Sequence, residues 1–450
     1  MKRYLSTVFL IVLIIGGFVV YQTHKNHFKD LPRVAQIDIK VQTRVVQNVP
    51  IWYVPNQDTD LVCFKISFKG AGAAQDLTPG ATKMLASMLN EGTDDMDSET
   101  FQNFLLNHQI QLMPDYDADN FGITIRTVKS QLPDALEVMI KILSTLKLAD
   151  ADLDRNRDDM IVSLEQSKHD PFSLSADALK RLAYKKHPYF VSIDEQISGL
   201  KVLTSHDVRV VLKRFGQNNL LVTCAGNIDA PTMTNLVNAL TMILPKEADL
   251  KPIPMAELDY QKSIHQISMP IPQSVIRFTM PAILLHDPDY YAYELLEGIF
   301  GGTAMKSRLF QDIREKRGLA YYAQTNAVNM ERLDALQGST GVATENEKAV
   351  VQLIKDNMAL IQKEGVTAEE LAFEKQHTSG TFALNFDSIR ETVHTLAHLQ
   401  LDGFPPTYVN DYAKHLDAVT LDQIKKVAQK YLSADKLIIV ITGKSHVVAA

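Results

Sequence analysis

From residue 37 to 68, apolar and polar residues alternate in three runs, IDIKVQTRVV, VPIWYVPN and LVCFKISFKG, separated by turns rich in Asn and Asp. A period of two sends successive side chains to opposite faces, so the runs predict a meander of strands with one buried face. The period then lengthens. Over 81–89, Met84, Leu85, Met88 and Leu89 fall on one stripe of a helix, with Gly80 opening it and Gly92 with Thr93 closing it. A second helix is expected at 98–107, where Ser98 and Glu99 make an imperfect capping pattern. Alternation returns at 110–128 as two strands. A helix at 132–146 follows, with Leu136, Met139, Ile140 and Leu143 as its predicted buried stripe. Further helices are expected at 153–168, 174–185 and 204–215, then a buried strand at 219–225 and an amphipathic helix at 229–244.

Residues 246–254 (KEADLKPIP) are charged and proline-bearing, and no periodic pattern crosses them. Beyond them the order of elements starts again. Strands at 263–269 and 274–280 lead to helices at 288–300 and 303–317, joined through Gly301 and Gly302. Strands at 320–328 and 334–343 come next, then helices at 346–363 and 367–378, more helix to about 431, and a closing strand at 437–442. TSHDVRVVLKRF followed by LLVTCAGN, and TLDQIKKVAQKYL followed by LIIVITGK, are two copies of one helix–strand ending. The expectation is an α+β chain of two similar halves, 36–245 and 263–450, each an antiparallel sheet packed with helices, with 246–262 as linker.

The first 35 residues follow another rule. Lys2 and Arg3 precede an apolar run from 5 to 20, with no small-residue cleavage site after it. Residues 1–21 therefore read as an uncleaved signal anchor, with a cleaved signal peptide as the alternative, and 22–35 as a polar stalk. The rest of the chain would lie outside the cytoplasm, in the periplasm if the cell is Gram-negative.

Charge changes the picture only by exclusion. The 450 residues carry 46 Lys and Arg against 53 Asp and Glu, a net charge of −7 without a basic run, which argues against a nucleic-acid binder. Cys63 and Cys224 sit in strand-like apolar runs and read as buried thiols, although an oxidising compartment leaves a disulfide between them open.

The frame G-x-x-[ ]-x-L-[ ]-[ ]-M-L-x-x-G-T over 80–93 resembles the zinc helix of the M16, or pitrilysin-like, inverzincin peptidases. There the bracketed positions hold the His, Glu and His of an H-x-x-E-H run. Here they hold Lys83, Ala86 and Ser87. An ammonium has no lone pair for zinc, and a methyl group cannot act as general base. Within DRNRDDMIVSLEQSKHDP the resemblance assigns the third ligand position to Glu165, with Asp158 as the supporting carboxylate. One carboxylate does not make a catalytic zinc site. In the second half, SRLFQDIREKRGLAYYAQT (307–325) resembles the C-terminal domain of bacterial M16 proteins. The family's arginine and tyrosine, seven apart, fall on Arg314 and Tyr321, with Arg317 and Tyr322 as nearby decoys.

The resemblance spans about 36–445 and implies an M16-type clamshell half, with no cofactor in this chain. Its implied function is that of a non-catalytic subunit in a heterodimer whose H-x-x-E-H partner holds the zinc. Such a chain would help bind peptide and supply Arg314 and Tyr321 in trans. A standalone peptide-binding or scaffold protein is the alternative, and a hydrolase with an unrecognised site is a third. For that third reading the sequence offers little. His394 and His398 stand i, i+4 in HTLAH but lack an obvious acidic third ligand, and His377 is too loosely placed. His169, His187 and His286 are isolated. Gly298, Gly301 and Gly302 lie where a helix ends, which is the wrong place for a dinucleotide loop.

Overall fold

The computed structural model describes residues 37–184, 187–257, 264–303 and 305–444. The predicted anchor, the stalk and residues 258–262 of the predicted linker lie outside that range. Among the described residues no helix is long and apolar enough to cross a membrane.

The first half runs β1 (Gln42–Val46), β2 (Val49–Pro55), β3 (Leu61–Phe68), α1 (Ala81–Met88), α2 (Ser98–Asn107), β4 (Gln111–Tyr116), β5 (Phe121–Val128), α3 (Leu132–Ser144) and α4 (Asp150–Ser167). It continues through α5 (Pro171–Tyr184), α6 (Ile193–Val202), α7 (Ser205–Leu212), β6 (Leu220–Gly226) and α8 (Ala230–Ile243). The second half runs β7 (Ile264–Ser268), β8 (Gln273–Pro281), α9 (Tyr290–Glu297), β9 (Ala320–Met330), β10 (Leu333–Ala343), α10 (Glu347–Glu364) and α11 (Ala368–Leu384). It closes with α12 (Ile389–Leu401), α13 (Tyr408–Ala418), α14 (Leu421–Tyr431) and β11 (Ile438–Gly443).

The strands form two sheets, ordered β1-β2-β6-β3-β5-β4 and β7-β11-β8-β10-β9. Setting β1 aside, the pairings repeat one for one: the first pair is parallel and the other three are antiparallel. The sheets are therefore mixed, which corrects the expectation of antiparallel sheets. A parallel pair needs a long crossover, and β6 and β11 each return through one to lie parallel to one neighbour (β2, β7) and antiparallel to the other (β3, β8). The helices before them share a cap as well: Asp207 accepts from the Thr204 N–H, and Gln423 from the Thr420 N–H, each at 2.8 Å.

Two helix readings change. In α3 the buried face is Leu132, Ala135, Val138, Met139 and Ile142, while Leu136, Ile140 and Leu143 are only half-buried. Asp97, rather than Ser98, caps α2, accepting from the Thr100 N–H at 2.9 Å. Helix α6 had no predicted counterpart, although Ser192 and Glu195 form a full capping box before it.

The halves trade a helix. From the first half, α5 covers the second sheet, packing Leu179, Ala183 and Tyr184 against Leu333, Ile438 and Val440. From the second half, α12 covers the first sheet, packing Val393 against Cys63 and Ala225. Gln400 on α12 accepts from Thr223 on β6 (3.0 Å) and donates to the Pro50 carbonyl (3.2 Å). The two cysteines are free thiols. Cys63 pairs with Ala225 and Phe64 with Cys224, so the cysteines point to opposite faces of the sheet and cannot bridge. Burial pushes the Cys63 thiol up to about 12.

Candidate functional site

Helix α1 starts at Gly80, whose φ of 95° lies in the left-handed region that glycine adopts most easily. Just inside that start, Thr82 gives its backbone N–H and hydroxyl to Asp76, and Arg214 clasps the same group. The Arg214 guanidinium donates to Asp76, Thr82 Oγ1 and the Gln75 carbonyl at 2.9 Å each. Arg214 and Asp76 expose only 4% and 5% of their side chains. Burial raises the Asp76 carboxyl above its ordinary value even though Arg214 pulls the other way. At the far end of α1, Glu91 accepts from Asn156 (2.8 Å) and Arg155 (2.6 Å), latching α1 to α4. Met84, Leu85, Met88 and Leu89 are fully buried, as the helical stripe predicts.

The degenerate positions lie on the other face of this fixed frame. Lys83, Ala86 and Ser87 are half-buried, and desolvation draws the Lys83 amine below its ordinary lysine value. On α4, Met160 and Leu164 are buried, whereas Asp158 and Glu165 are exposed. Glu165 stands one residue, about 100° of helix turn, from the buried Leu164. It pairs with Lys168 at 3.1 Å, and Lys168 also reaches Asp194 on α6 at 2.8 Å. The fold sets α1 beside α4, yet among the described residues no hydrogen bond or ion pair joins Glu165 or Asp158 to Lys83, Ala86 or Ser87. A zinc ion does not fit this donor set: an amine, a methyl, a hydroxyl and a carboxylate already paired.

HTLAH gives no replacement. The rings of His394 and His398 lie 4.5 Å apart, and burial holds both below the usual histidine value, His398 at about 4. Lys65, almost wholly buried and 2.7 Å from Asp115, places a positive charge close enough to both rings to lower them further. A metal cation there would face that ammonium. Among the described residues no three His, Cys, Asp or Glu side chains are grouped to hold a metal ion.

In the second half the predicted pair does meet. After α9 the chain makes a π-turn (Gly298–Gly302), a single helical turn (Arg308–Phe310) and a second π-turn (Gln311–Glu315) before entering β9. The expected helix at 303–317 is thus shorter and partly π, a widening that inserts a residue and re-aims side chains. Arg314 lies in the second π-turn. Its guanidinium carbon is 4.8 Å from the Phe310 ring centre and 4.8 Å from that of Tyr321, so the cation stacks on both rings. Tyr321 is 79% exposed. The decoys turn elsewhere: Arg317 donates to the Asp312 carbonyl, and Tyr322 is half-buried beside Phe172.

The sequence reading missed a set of shielded glutamates, Glu294, Glu297 and Glu374, next to this segment. Burial pushes Glu294 and Glu297 up to about 7 and raises Glu374. For Glu294 and Glu297 the available signal was YYAYELLEGIFGG, a run rich in apolar residues on all sides, whereas Glu374 carried no such signal.

Residues 209–377 match the family pattern described as the peptidase M16 inactive domain. That stretch is similar to an M16 inactive domain. Similarity extends beyond it. A Helicobacter pylori protein named a non-peptidase homologue is 22% identical over 95% of this chain and 96% of its own. A protein of Streptomyces coelicolor named an uncharacterized zinc protease is 21% identical over 68% of each chain. A Bacillus subtilis protein named a probable inactive metalloprotease is 23% identical over 55% of this chain and 57% of its own. Among solved structures, a peptidase M16 inactive domain from Pseudomonas fluorescens superposes with a TM-score of 0.84 at 23% identity, over 91% of this chain and 98% of that one. A protease from Helicobacter pylori gives 0.79 at 15% identity, over 90% and 99%. The M16-like fold therefore covers both halves.

Proposed function

We propose that this chain is the non-catalytic subunit of a heterodimeric zinc peptidase, in which a second M16 chain bearing H-x-x-E-H holds the metal. In this reading Arg314 and Tyr321 reach the partner's site and donate hydrogen bonds to the peptide carbonyl as it gains negative charge. One observation carries the proposal: Arg314 is stacked between two rings while Tyr321 stands almost free of the protein. An exposed phenol with a partly exposed guanidinium stacked on it can serve a second molecule, whereas nothing on α1 can serve chemistry at home. The N-terminal apolar run would anchor the subunit in the inner membrane, with its folded part in the periplasm.

The test is reconstitution with an H-x-x-E-H chain from the same organism. The isolated chain should take up no stoichiometric zinc and cleave no unstructured peptide. The pair should cleave peptide, in a chelator-sensitive way, faster than the H-x-x-E-H chain alone. Equal rates with and without this chain would leave it a standalone binding or scaffold protein. Fractionation checks the anchor: a soluble mature form starting near residue 21 would remove the membrane claim and keep export.

A further inference from the structure

Both flanks of the Arg314–Tyr321 segment are tied to shielded glutamates. On the N-terminal side, the Thr303 hydroxyl donates to Glu374 on α11, 2.6 and 2.8 Å from its two oxygens. On the C-terminal side Thr325, four residues past Tyr321, donates to Glu297 at the end of α9 at 2.6 Å. Between them Arg308 makes a two-pronged bond to Glu370, one turn before Glu374 on α11, at 2.7 and 2.8 Å.

The π-turn is shaped around the same two carboxyls. A Cβ at Gly298 would stand 2.1 Å from a Glu374 oxygen, and one at Gly302 would stand 2.3 Å from a Glu297 oxygen. At Gly301 it would stand 2.5 Å from the Thr325 hydroxyl. Only glycine lets the backbone close this far onto the threonine–glutamate bonds. Carboxyls are a costly choice if the sole purpose is to fill space, because apolar side chains of similar volume pack without a desolvation penalty. What hydrogen-bonded carboxyls add is one fixed geometry for the groups that bond to them.

We infer that Glu297 and Glu374 are positioning residues: they clamp the two flanks of the Arg308–Tyr321 segment and so set where Arg314 and Tyr321 stand. This rests on the reading of that pair as a device acting in trans. A donor displaced by about 1 Å from a reacting carbonyl can cost on the order of 10²-fold in rate, so a clamp remote from the chemistry has work to do.

The experiment removes the donors and keeps the shapes, with Thr303→Val and Thr325→Val combined and Thr303→Ser with Thr325→Ser as the conservative rescue. If the valine variant does not fold, Gly302→Ala strains the clamp by another route. Amide exchange by mass spectrometry should speed up by about tenfold or more over 308–321, with α1 and the first sheet unchanged and the serine variant near wild type. Unchanged exchange over 308–321 in a folded variant, or an even rise across the chain, overturns the inference. In the reconstituted pair, kcat should fall with little change in KM, and serine should restore it. If exchange rises and cleavage does not change, while Arg314→Ala does lower it, the clamp is not a positioning device and the trans reading survives. If exchange rises and Arg314→Ala is silent, the trans reading fails and takes this inference with it.

Discussion

The frame around α1 and the segment around Arg314 have opposite characters. Around α1 the buried parts are all in order: the Met84–Leu89 stripe, the Arg214–Asp76 pair and the Glu91 latch. Its half-exposed positions, where the metal chemistry would sit, carry a lysine, an alanine and a serine. Around Arg314 the glutamates and the glycines packed against them also fix the backbone, but the polar pair keeps its stack, with Tyr321 standing exposed. The difference teaches that a well-built frame is no evidence of chemistry. The groups a frame presents have to be read one by one.

The largest expected effect breaks the first frame. Arg214→Ala leaves Asp76 buried without its cation, which should cost about 3–5 kcal/mol and lower the melting temperature steeply. A loss under about 1 kcal/mol would mean that α1 is held by its apolar stripe alone. Next comes a swap of chemistry into that frame: Lys83→His, Ala86→Glu and Ser87→His together should create stoichiometric zinc binding. Adding Glu165→Gln should then weaken it, because Glu165 can leave Lys168 for the metal. A folded triple variant that takes up no zinc would show that Glu165 does not occupy the ligand position.

A middle-sized effect separates the two regions by pH. Glu294 and Glu297 have folded values near 7 against an ordinary 4.5, so the unfolded chain releases these protons first. Their contribution to stability is complete below about pH 4.5 and is lost as pH rises through about 7. In thermal melts from pH 5 to 8, Glu297→Gln should lose less stability with rising pH than the wild type does. A fall of the same steepness in the variant contradicts the assignment. The smallest effect is the stack itself. Tyr321→Leu removes the exposed one of the two rings on the Arg314 cation, worth roughly 0.5–1 kcal/mol, and calorimetry should find a shift of no more than a few degrees.

How much of this the sequence revealed depends on what each residue touches. The α1 stripe was legible because four large apolar residues at helical spacing can face only a core. So was the repeat, because TSHD and TLDQ open matching helix–strand endings. The buried face of α3 was not, since two neighbouring stripes compete there and tertiary packing chose the one around Ala135. The exchange of α5 and α12 between sheets was also hidden: amphipathicity says that a helix is covered and is silent about by what. Of the candidate site, Arg314 and Tyr321 were found through their motif and do meet. Glu374 was missed because glutamate on a helix ordinarily faces water, and Glu297 because its apolar surroundings were not read; the tertiary structure shows both packed against glycines and threonines.

The central claim is that the surface pair in the second half acts on another chain. Its most direct test is the peptidase rate per intact complex for Arg314→Ala, in the reconstituted pair and at matched complex concentration. Removing one oxyanion donor costs on the order of 10²–10³ in kcat, and the account predicts a loss of at least about tenfold with folding and association unchanged. A normal rate per complex, whatever happens to stability or assembly, would contradict it.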